Sequence, residues 1–340
     1  EGEACGDYIL EKLKPGAMIP MGVSTYHPHF KAFTDRAAAK FPGLKVVYPR
    51  YSGDRIFMAA PGRKDPDVDI KWEKKSPMPG PLYAFDAVTL GNRIHCLQGT
   101  LEAVLAGARL ISPSEFTRQA CREVLAIPPE RVTPILHGVD PVFTPGGSEE
   151  ERLDLLHRHS ISDGYLLHVG TIEPRTNILR LLQAIEGLSD EFRGDHQLVL
   201  AGGEGWLNQE IRSFAETRLG PGSVRFLGTV DTDDLRSLYR FAHVFVYPSV
   251  AEGFGLPALE AMACGAPVVA SSAASLPEVV GEAALMVDPA DVSSIRHGLE
   301  RILSDPELRR RLAGAGRERA EGFSWRRAAE QTLEVYRGRS

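Results

Sequence analysis

From about Gly164 onward the chain alternates short apolar runs with longer amphipathic ones. Tyr165-Leu166-Leu167-His168-Val169 has strand length and stops at Gly170, while Asn177 to Leu188 sets Ile178, Leu181, Leu182, Ile185 and Leu188 on one helical stripe. Gln197 to Ala201 predicts a second strand, closed by Gly202-Gly203, and a helix over 207–219 comes next. Val224 to Leu227 then reads as a strand, 233–241 as a helix, and Val244 to Ser249 as another apolar run. Ala284 to Val287 and a helix over 291–304, with Val292, Ile295, Leu299, Ile302 and Leu303 on one face, complete the series. Strands alternating with helices predict an α/β fold with a parallel, doubly wound sheet, and ligands of such sheets sit at the carboxyl ends of the strands. Glu173, Arg175, Gly203, Val230 and Glu252 all fall at such ends.

One segment carries most of the chemistry. After the run ending at Ser249 comes Glu252-Gly253-Phe254-Gly255-Leu256-Pro257-Ala258-Leu259-Glu260, then a short helix, a Gly265 stop and the apolar run Pro267 to Ala270. Proline is pre-organised for the start of a helix, so Pro257 marks one. Ahead of it, Phe254, Gly255 and Leu256 offer main-chain N–H groups at a helix end that attracts anions. Gly253 and Gly255 let backbone approach a ligand where a side chain would block it. Glu252 stands in the loop and Glu260 in the first helical turn. A carboxylate, a phosphate cradle and a second carboxylate in a row suit a sugar diphosphate. The bland alternative makes Glu252 a solvated loop residue and Glu260 a complement to the helix dipole.

This string resembles the E-x7-E signature of the retaining, GT-B-fold glycosyltransferases of family 4. The resemblance implies two doubly wound Rossmann-like domains facing a central cleft. The expected division is 1–144 for an acceptor-side N-terminal domain, divergent or incomplete, and 145–323 for a nucleotide-sugar-binding domain. A terminal helix over 324–340, opening on Ser324-Trp325, is expected to pack back on the first domain. By resemblance Glu260 holds the ribose hydroxyls, Glu252 lies by the donor sugar, and main chain at Phe254, Gly255 and Leu256 meets sugar and phosphate. Main chain near Val230 meets the base. Gly170-Thr171, Arg175 and Gly203 complete the donor site, with Glu252 and Arg175 as the catalytic pair. The family pattern sets Lys after the Arg of Glu173-Pro174-Arg175, where this chain has Thr176, so the cationic charge on the leaving diphosphate falls to Arg175. Preorganised positive groups around that diphosphate supply most of such catalysis, and a guanidinium grips phosphate in bidentate fashion. Metal and cofactor are expected to be absent. Asp231-Thr232-Asp233-Asp234 imitates an acidic metal motif but reads as a helix cap.

The implied activity is transfer of a hexose from a GDP- or UDP-sugar to a glycan or lipid-linked acceptor, tilted toward GDP-mannose by the Glu-Pro-Arg-x-Asn variant. A nucleotide-sugar epimerase and a non-catalytic nucleotide-sugar-binding subunit are the alternatives. Composition narrows the rest. The chain has 340 residues, a net charge of −6, 43% hydrophobic and 25% charged residues, which suits two soluble globular domains and argues against nucleic acid. Four scattered cysteines without metal spacing are expected as reduced thiols, which places the protein in the cytoplasm and leaves peripheral association with the inner membrane face open. Residues 101–143 look familial, with a helix to Leu125, a strand over Val132 to Leu136 and a junction at His137-Gly138-Val139-Asp140. Pro145 to Glu151 reads as linker. Residues 1–100 fit the resemblance poorly, with candidate strands at Phe41 to Arg50 and Arg55 to Ala60, a Pro-rich loop over 75–81, and His27, His29 and His95 in no assigned role.

Overall fold

The computed structural model describes residues 48–52, 55–59, 109–125, 127–203, 205 and 209–336. Most of the expected strand from Phe41, the Pro-rich loop, His27, His29, His95, Cys5 and Cys96 lie outside them. The described chain falls into two compact units.

The first contains β1 (Tyr48–Ser52) and β2 (Arg55–Ala59), which pair antiparallel from Tyr48–Ala59 to Ser52–Arg55. It also contains β3 (Leu110–Ser112) and β4 (Val132–Pro134), paired in parallel across Leu110–Val132. The connecting helix α1 spans Glu115–Leu125, and all but its first residues belong here. The last helix of the chain, Trp325–Tyr336, joins this unit, where Ala328, Val335 and Trp325 pack with Ile111 and Ile135.

The second unit, Pro113–Phe116 with Leu136–Ser324, is built on a six-stranded parallel sheet. In chain order its elements are α2 (Glu149–His159), β5 (Leu166–Val169), α3 (Ile178–Glu186), α4 (Asp190–Asp195), β6 (Leu198–Ala201), α5 (Gln209–Phe214), β7 (Val224–Gly228), α6 (Thr232–Phe241), β8 (Val244–Tyr247), α7 (Leu256–Cys264), β9 (Val268–Ser271), α8 (Leu276–Val280), β10 (Leu285–Val287), α9 (Val292–Ser304) and α10 (Pro306–Glu321). The final helix is α11.

Strand order is β10-β9-β8-β5-β6-β7. Residues of β6, β8 and β9 are buried throughout, as parallel strands covered on both faces must be. Alternation then divides them between two cores. Leu167, Val199, Phe245, Tyr247, Val268 and Ala270 pack with Tyr239 of α6 and Met262 of α7, whereas Leu166, Leu198, Leu200, Val244, Val246 and Val269 pack with Leu182 of α3 and Leu299 of α9. Successive strands run outward from β5 to β6 and β7 on one side and from β8 to β9 and β10 on the other. The order therefore switches between β5 and β8, and their carboxyl ends open the crevice where such sheets bind ligands.

Two local elements differ from the expectation. Glu149 to Glu151 opens a helix instead of continuing a linker, because Ser148 caps it by accepting from the Glu151 N–H at 3.0 Å. The helix predicted over 207–219 ends as α-helix at Phe214 and continues as a π-turn to Leu219. Asp231 caps α6 by accepting from the Asp234 N–H at 2.8 Å, as its place before an apolar stripe suggested. Asp234 also takes His159 and Arg158, at 2.7 and 2.5 Å.

Candidate functional site

The crevice is lined by the loops after β5, β6, β7 and β8. Beyond β5 the ladder continues through the loops: Gly170 N–H donates to Ala201 O at 2.9 Å, Ile172 N–H to Gly203 O at 3.1 Å and Gly202 N–H to Gly228 O at 2.7 Å. The approach at Gly202 (φ +145°) is so close that a β-carbon there would lie 2.1 Å from Gly170 O. Gly203 lies against Thr229, 3.7 Å from a β-carbon position, and so beside the turn that carries Val230. Gly170-Thr171, Gly203 and Val230 thus stand on consecutive loops at one end of the sheet.

A 3-10 turn, Pro174–Thr176, comes after β5. Thr176 is 1% exposed and its Oγ1 donates to Glu173 O at 2.7 Å, while Glu173 N–H donates back to it at 3.4 Å. Its methyl lies 3.7 Å from a β-carbon position on Gly170. Thr176 therefore closes the turn and fills volume under the Gly170 loop, contributing no charge to the crevice. Arg175 does. Its Nη1 lies 2.7 Å from Glu252 Oε1, its Nε donates to Glu173 Oε1, and Nη1 is 3.5 Å from Ala251 O. Burial opposes its charge, but Glu252 and Glu173 more than offset this and raise the guanidinium above its ordinary pKa. The loop after β5 and the loop after β8 meet at this pair, at the switch point.

Asn177 fixes the two loops from below. It sits at φ +64° and is buried; Nδ2 donates to Pro248 O at 2.9 Å and Pro289 O at 2.7 Å, and Oδ1 accepts from Arg180 Nη1 at 2.9 Å. Asn177→Ala leaves two buried carbonyls unpaired and forces an alanine into the left-handed region that it disfavours. We expect about 3 kcal/mol of lost stability in urea unfolding. Asn177→Gly, which keeps the backbone freedom, should recover about 1 kcal/mol of it.

Glu252 also accepts from Tyr247 Oη at 2.9 Å, on the same oxygen that pairs with Arg175. The Glu252–Phe254 backbone is pinned by Ser275, whose Oγ lies 2.9 Å from Glu252 O and 2.9 Å from Phe254 O, and by Ser114 Oγ, which donates to Gly253 O at 2.7 Å. Ser114 belongs to the segment whose next amides, Glu115 and Phe116, donate to the Glu278 carboxylate at 2.9 to 3.3 Å. Gly255 (φ +108°) turns the chain into α7, with Pro257 in its first turn and no side chain capping the helix N-terminus. The helix opening at Phe254, Gly255 and Leu256 therefore has no side-chain cap for its first N–H groups. Phe254 is held by His137, edge-on at 5.0 Å, a histidine that burial keeps neutral down to about 4.

Glu260, one turn into α7, accepts from Tyr239 Oη at 2.9 Å. Burial pushes its carboxyl up to about 7, the Tyr239 hydrogen bond opposing and Asp140 adding to the shift. Glu252 thus has one charged and one neutral protein donor, and Glu260 has a neutral one. His168 ends the set. Its Nδ1–H donates to Val246 O at 2.9 Å, and its Nε2 is buried with no hydrogen-bond partner. Burial holds it down to about 4, so it is a neutral imidazole under the crevice.

Sequence reasoning missed Tyr239, Tyr247, Asn177 and Ser275. The two tyrosines were legible in one respect only: a buried Tyr seeks a partner for its hydroxyl, and Tyr247 ends an apolar run shortly before Glu252. Among the described residues there is no cluster of His, Cys, Asp and Glu that could hold a metal, and no helix is long and apolar enough to cross a membrane. Cys121 and Cys264 are free thiols.

The family described as glycosyl transferases, group 1, matches residues 157–319. O-antigen chain mannosyltransferase B of Escherichia coli is 38% identical over 248 residues, or 72% of this chain and 65% of that protein. Among solved structures, sucrose-phosphate synthase from Thermosynechococcus elongatus aligns with a TM-score of 0.57 at 29% identity, covering 67% of this chain and 57% of that one. Anabaena Alr3699/HepE in complex with UDP and glucose aligns with a TM-score of 0.63 at 20% identity, covering 71% and 66%. The last two likenesses give the fold, GT-B, over the aligned part. The chain spans 65% of the length of the Escherichia coli relative.

Proposed function

We propose that the protein transfers a hexose from a nucleotide diphosphate sugar to a glycan or lipid-linked acceptor, a reading supported by the match of residues 157–319 to the glycosyl transferases of group 1. The donor we favour is GDP-mannose, its sugar supported by the name of the mannosyltransferase relative; in this proposal the anomeric configuration is retained. The observation that carries the reading is the Arg175–Glu252 pair, 2.7 Å apart at the switch point, beside an uncapped helix N-terminus.

In this reading the diphosphate lies against the amides of Phe254, Gly255 and Leu256 and against Arg175, with Gly170-Thr171 and Gly203 making room for it. The ribose hydroxyls donate to Glu260, the base meets main chain near Val230, and the sugar lies by Glu252. As the glycosidic bond to the diphosphate lengthens, negative charge grows on the leaving oxygens. Arg175 and the helix-end dipoles stabilise it without reorganising. A trianionic leaving group competes with Glu252 for Arg175, which frees the carboxylate to face the cation-like sugar carbon. The acceptor hydroxyl then attacks from the face the diphosphate leaves, delivering its proton to the departing phosphate oxygen. No metal takes part in this scheme. A lipid-linked acceptor would bring the protein to the cytoplasmic face of a membrane.

The test is sugar transfer from GDP-mannose and from UDP-glucose to a panel of lipid-linked and free glycans, with Arg175→Ala beside the parent chain. We expect Arg175→Ala to lower kcat by roughly 10²-fold, the usual cost of one preorganised charge. Donor binding without turnover by the parent would instead favour a binding subunit, a reading to which the buried, uncharged Thr176 lends some support. Conversion of the donor without acceptor would favour an epimerase.

A further inference from the structure

Aromatic rings run through the core from one signature carboxylate to the other. Phe143 meets Tyr239 edge-on at 5.7 Å, and Tyr239 meets Phe245 edge-on at 5.5 Å. Phe245 stacks on Tyr247 at 5.6 Å, and Tyr247 on His168 at 5.5 Å. Each tyrosine in this row ends on one glutamate: Tyr239 Oη on Glu260 Oε2 and Tyr247 Oη on Glu252 Oε1, both at 2.9 Å. The rings are 0% and 3% exposed. A phenol oxygen lies on the axis of its ring, so rotation about that axis leaves it in place, and a ring locked by packing fixes its oxygen. A carboxylate bound to such an oxygen inherits that fixity, which a flexible glutamate lacks in solution.

We propose that Tyr239 and Tyr247 are positioning residues for the transfer, holding the ribose-binding and sugar-facing carboxylates in register through one shared aromatic row. The inference rests on the donor reading above. Tyr247 shares Glu252 Oε1 with Arg175, so both protein donors converge on one oxygen and the carboxylate keeps a single orientation when the guanidinium turns to the diphosphate. Tyr239 does a second thing. An ionised Glu260 is the stronger acceptor for ribose hydroxyls, and the Tyr239 hydrogen bond favours that form against burial. The other groups facing Glu260 are Asp140 on the segment before α2 and Cys264 on α7 itself, with Arg236 and Arg240 of α6 and Tyr247 of β8 beyond them. Asp140 opposes ionisation. Nucleotide binding should therefore release a proton, and affinity should rise with pH through about 7.

The experiment measures GDP and UDP affinity by calorimetry from about pH 5.5 to about 8.5 and steady-state transfer from GDP-mannose, for the parent chain, Tyr239→Phe, Tyr247→Phe and Glu260→Gln. Phenylalanine keeps the ring row and removes only the oxygen. Tyr239→Phe should weaken nucleotide binding about fivefold at pH 7 and move the midpoint of the affinity profile upward, because the neutral acid loses its competitor. Tyr247→Phe should lower kcat about tenfold with KM unchanged within about twofold. Glu260→Gln still accepts from Tyr239 and should flatten the pH profile. A parent that binds neither nucleotide would overturn the donor reading and this inference with it. A parent that binds and turns over, with both Phe variants keeping its pH midpoint and its kcat, would overturn this inference alone.

Discussion

Glu252→Gln should lower kcat by roughly 10²- to 10³-fold while nucleotide affinity changes little. The expectation rests on what glutamine keeps and what it loses. It keeps the length of the side chain and an oxygen able to accept from Tyr247, 2.9 Å away in the parent, so the loop pinned by Ser275 and Ser114 has no reason to move. It loses the charge that faces Arg175 at 2.7 Å and, in the proposed transfer, the sugar carbon as that carbon becomes cation-like. Nucleotide affinity is carried by the α7 amides, Glu260 and Arg175, and of these the substitution alters only the pairing of Arg175. Arg175 retains Glu173 as a partner, but the Glu252 side chain is only 10% exposed, so a cost in stability of about 1–2 kcal/mol is expected. Single-turnover rates with GDP-mannose, next to GDP affinity, separate the two quantities. A variant with kcat within about threefold of the parent would remove Glu252 from the reacting centre.

The second large effect is structural. Gly202→Ala should cost about 3 kcal/mol or more and weaken nucleotide binding in parallel. A β-carbon there meets Gly170 O at 2.1 Å and Gly170 C at 2.6 Å, at a φ of +145° that L side chains rarely adopt. What it meets is backbone, so no flexible side chain can swing aside. The loops after β5 and β6 would have to part, breaking the bonds from Gly170 to Ala201 and from Ile172 to Gly203 that carry the ladder to the crevice. Gly220→Ala supplies the contrast. That glycine also has positive φ, +88°, but a β-carbon would meet nothing within 4 Å. It should cost only about 1 kcal/mol, and it should leave nucleotide affinity as it was. Urea unfolding with GDP calorimetry checks both.

The βα alternation of the second unit was legible because its buried strands are short apolar runs, most of them ended by glycine or proline, and most of its helices show a stripe. Helix ends shifted by a residue or two, as at Ile178–Glu186 against 177–188. The helix Glu149–His159 was not legible. Its sequence is mostly charged, and only Leu155 is buried, so no stripe marks it; the signal is Ser148 three residues before Glu151. At the crevice, Glu252, Glu260, Arg175 and the glycines were visible as a spaced pattern. Their supports were not, because Tyr247 reads as a member of an apolar run and Tyr239 as part of a helix, and a hydroxyl directed at a carboxylate 21 residues along the chain, as that of Tyr239 is, leaves no local trace. Thr176 illustrates the converse. The sequence shows a missing cation, while the structure shows a hydroxyl that closes a turn.

The last helix has a consequence for how the chain is made. α11 contributes Ala328 and Val335 to the cluster that covers Ile111 and Ile135 of the first unit. On the ribosome, all elements of the six-stranded sheet emerge before those residues do. The earlier-synthesised lobe must therefore wait, with part of its apolar surface bare, until its partner has had time to mature. A nonsense codon just ahead of Trp325 would fall within the second unit and strike the first.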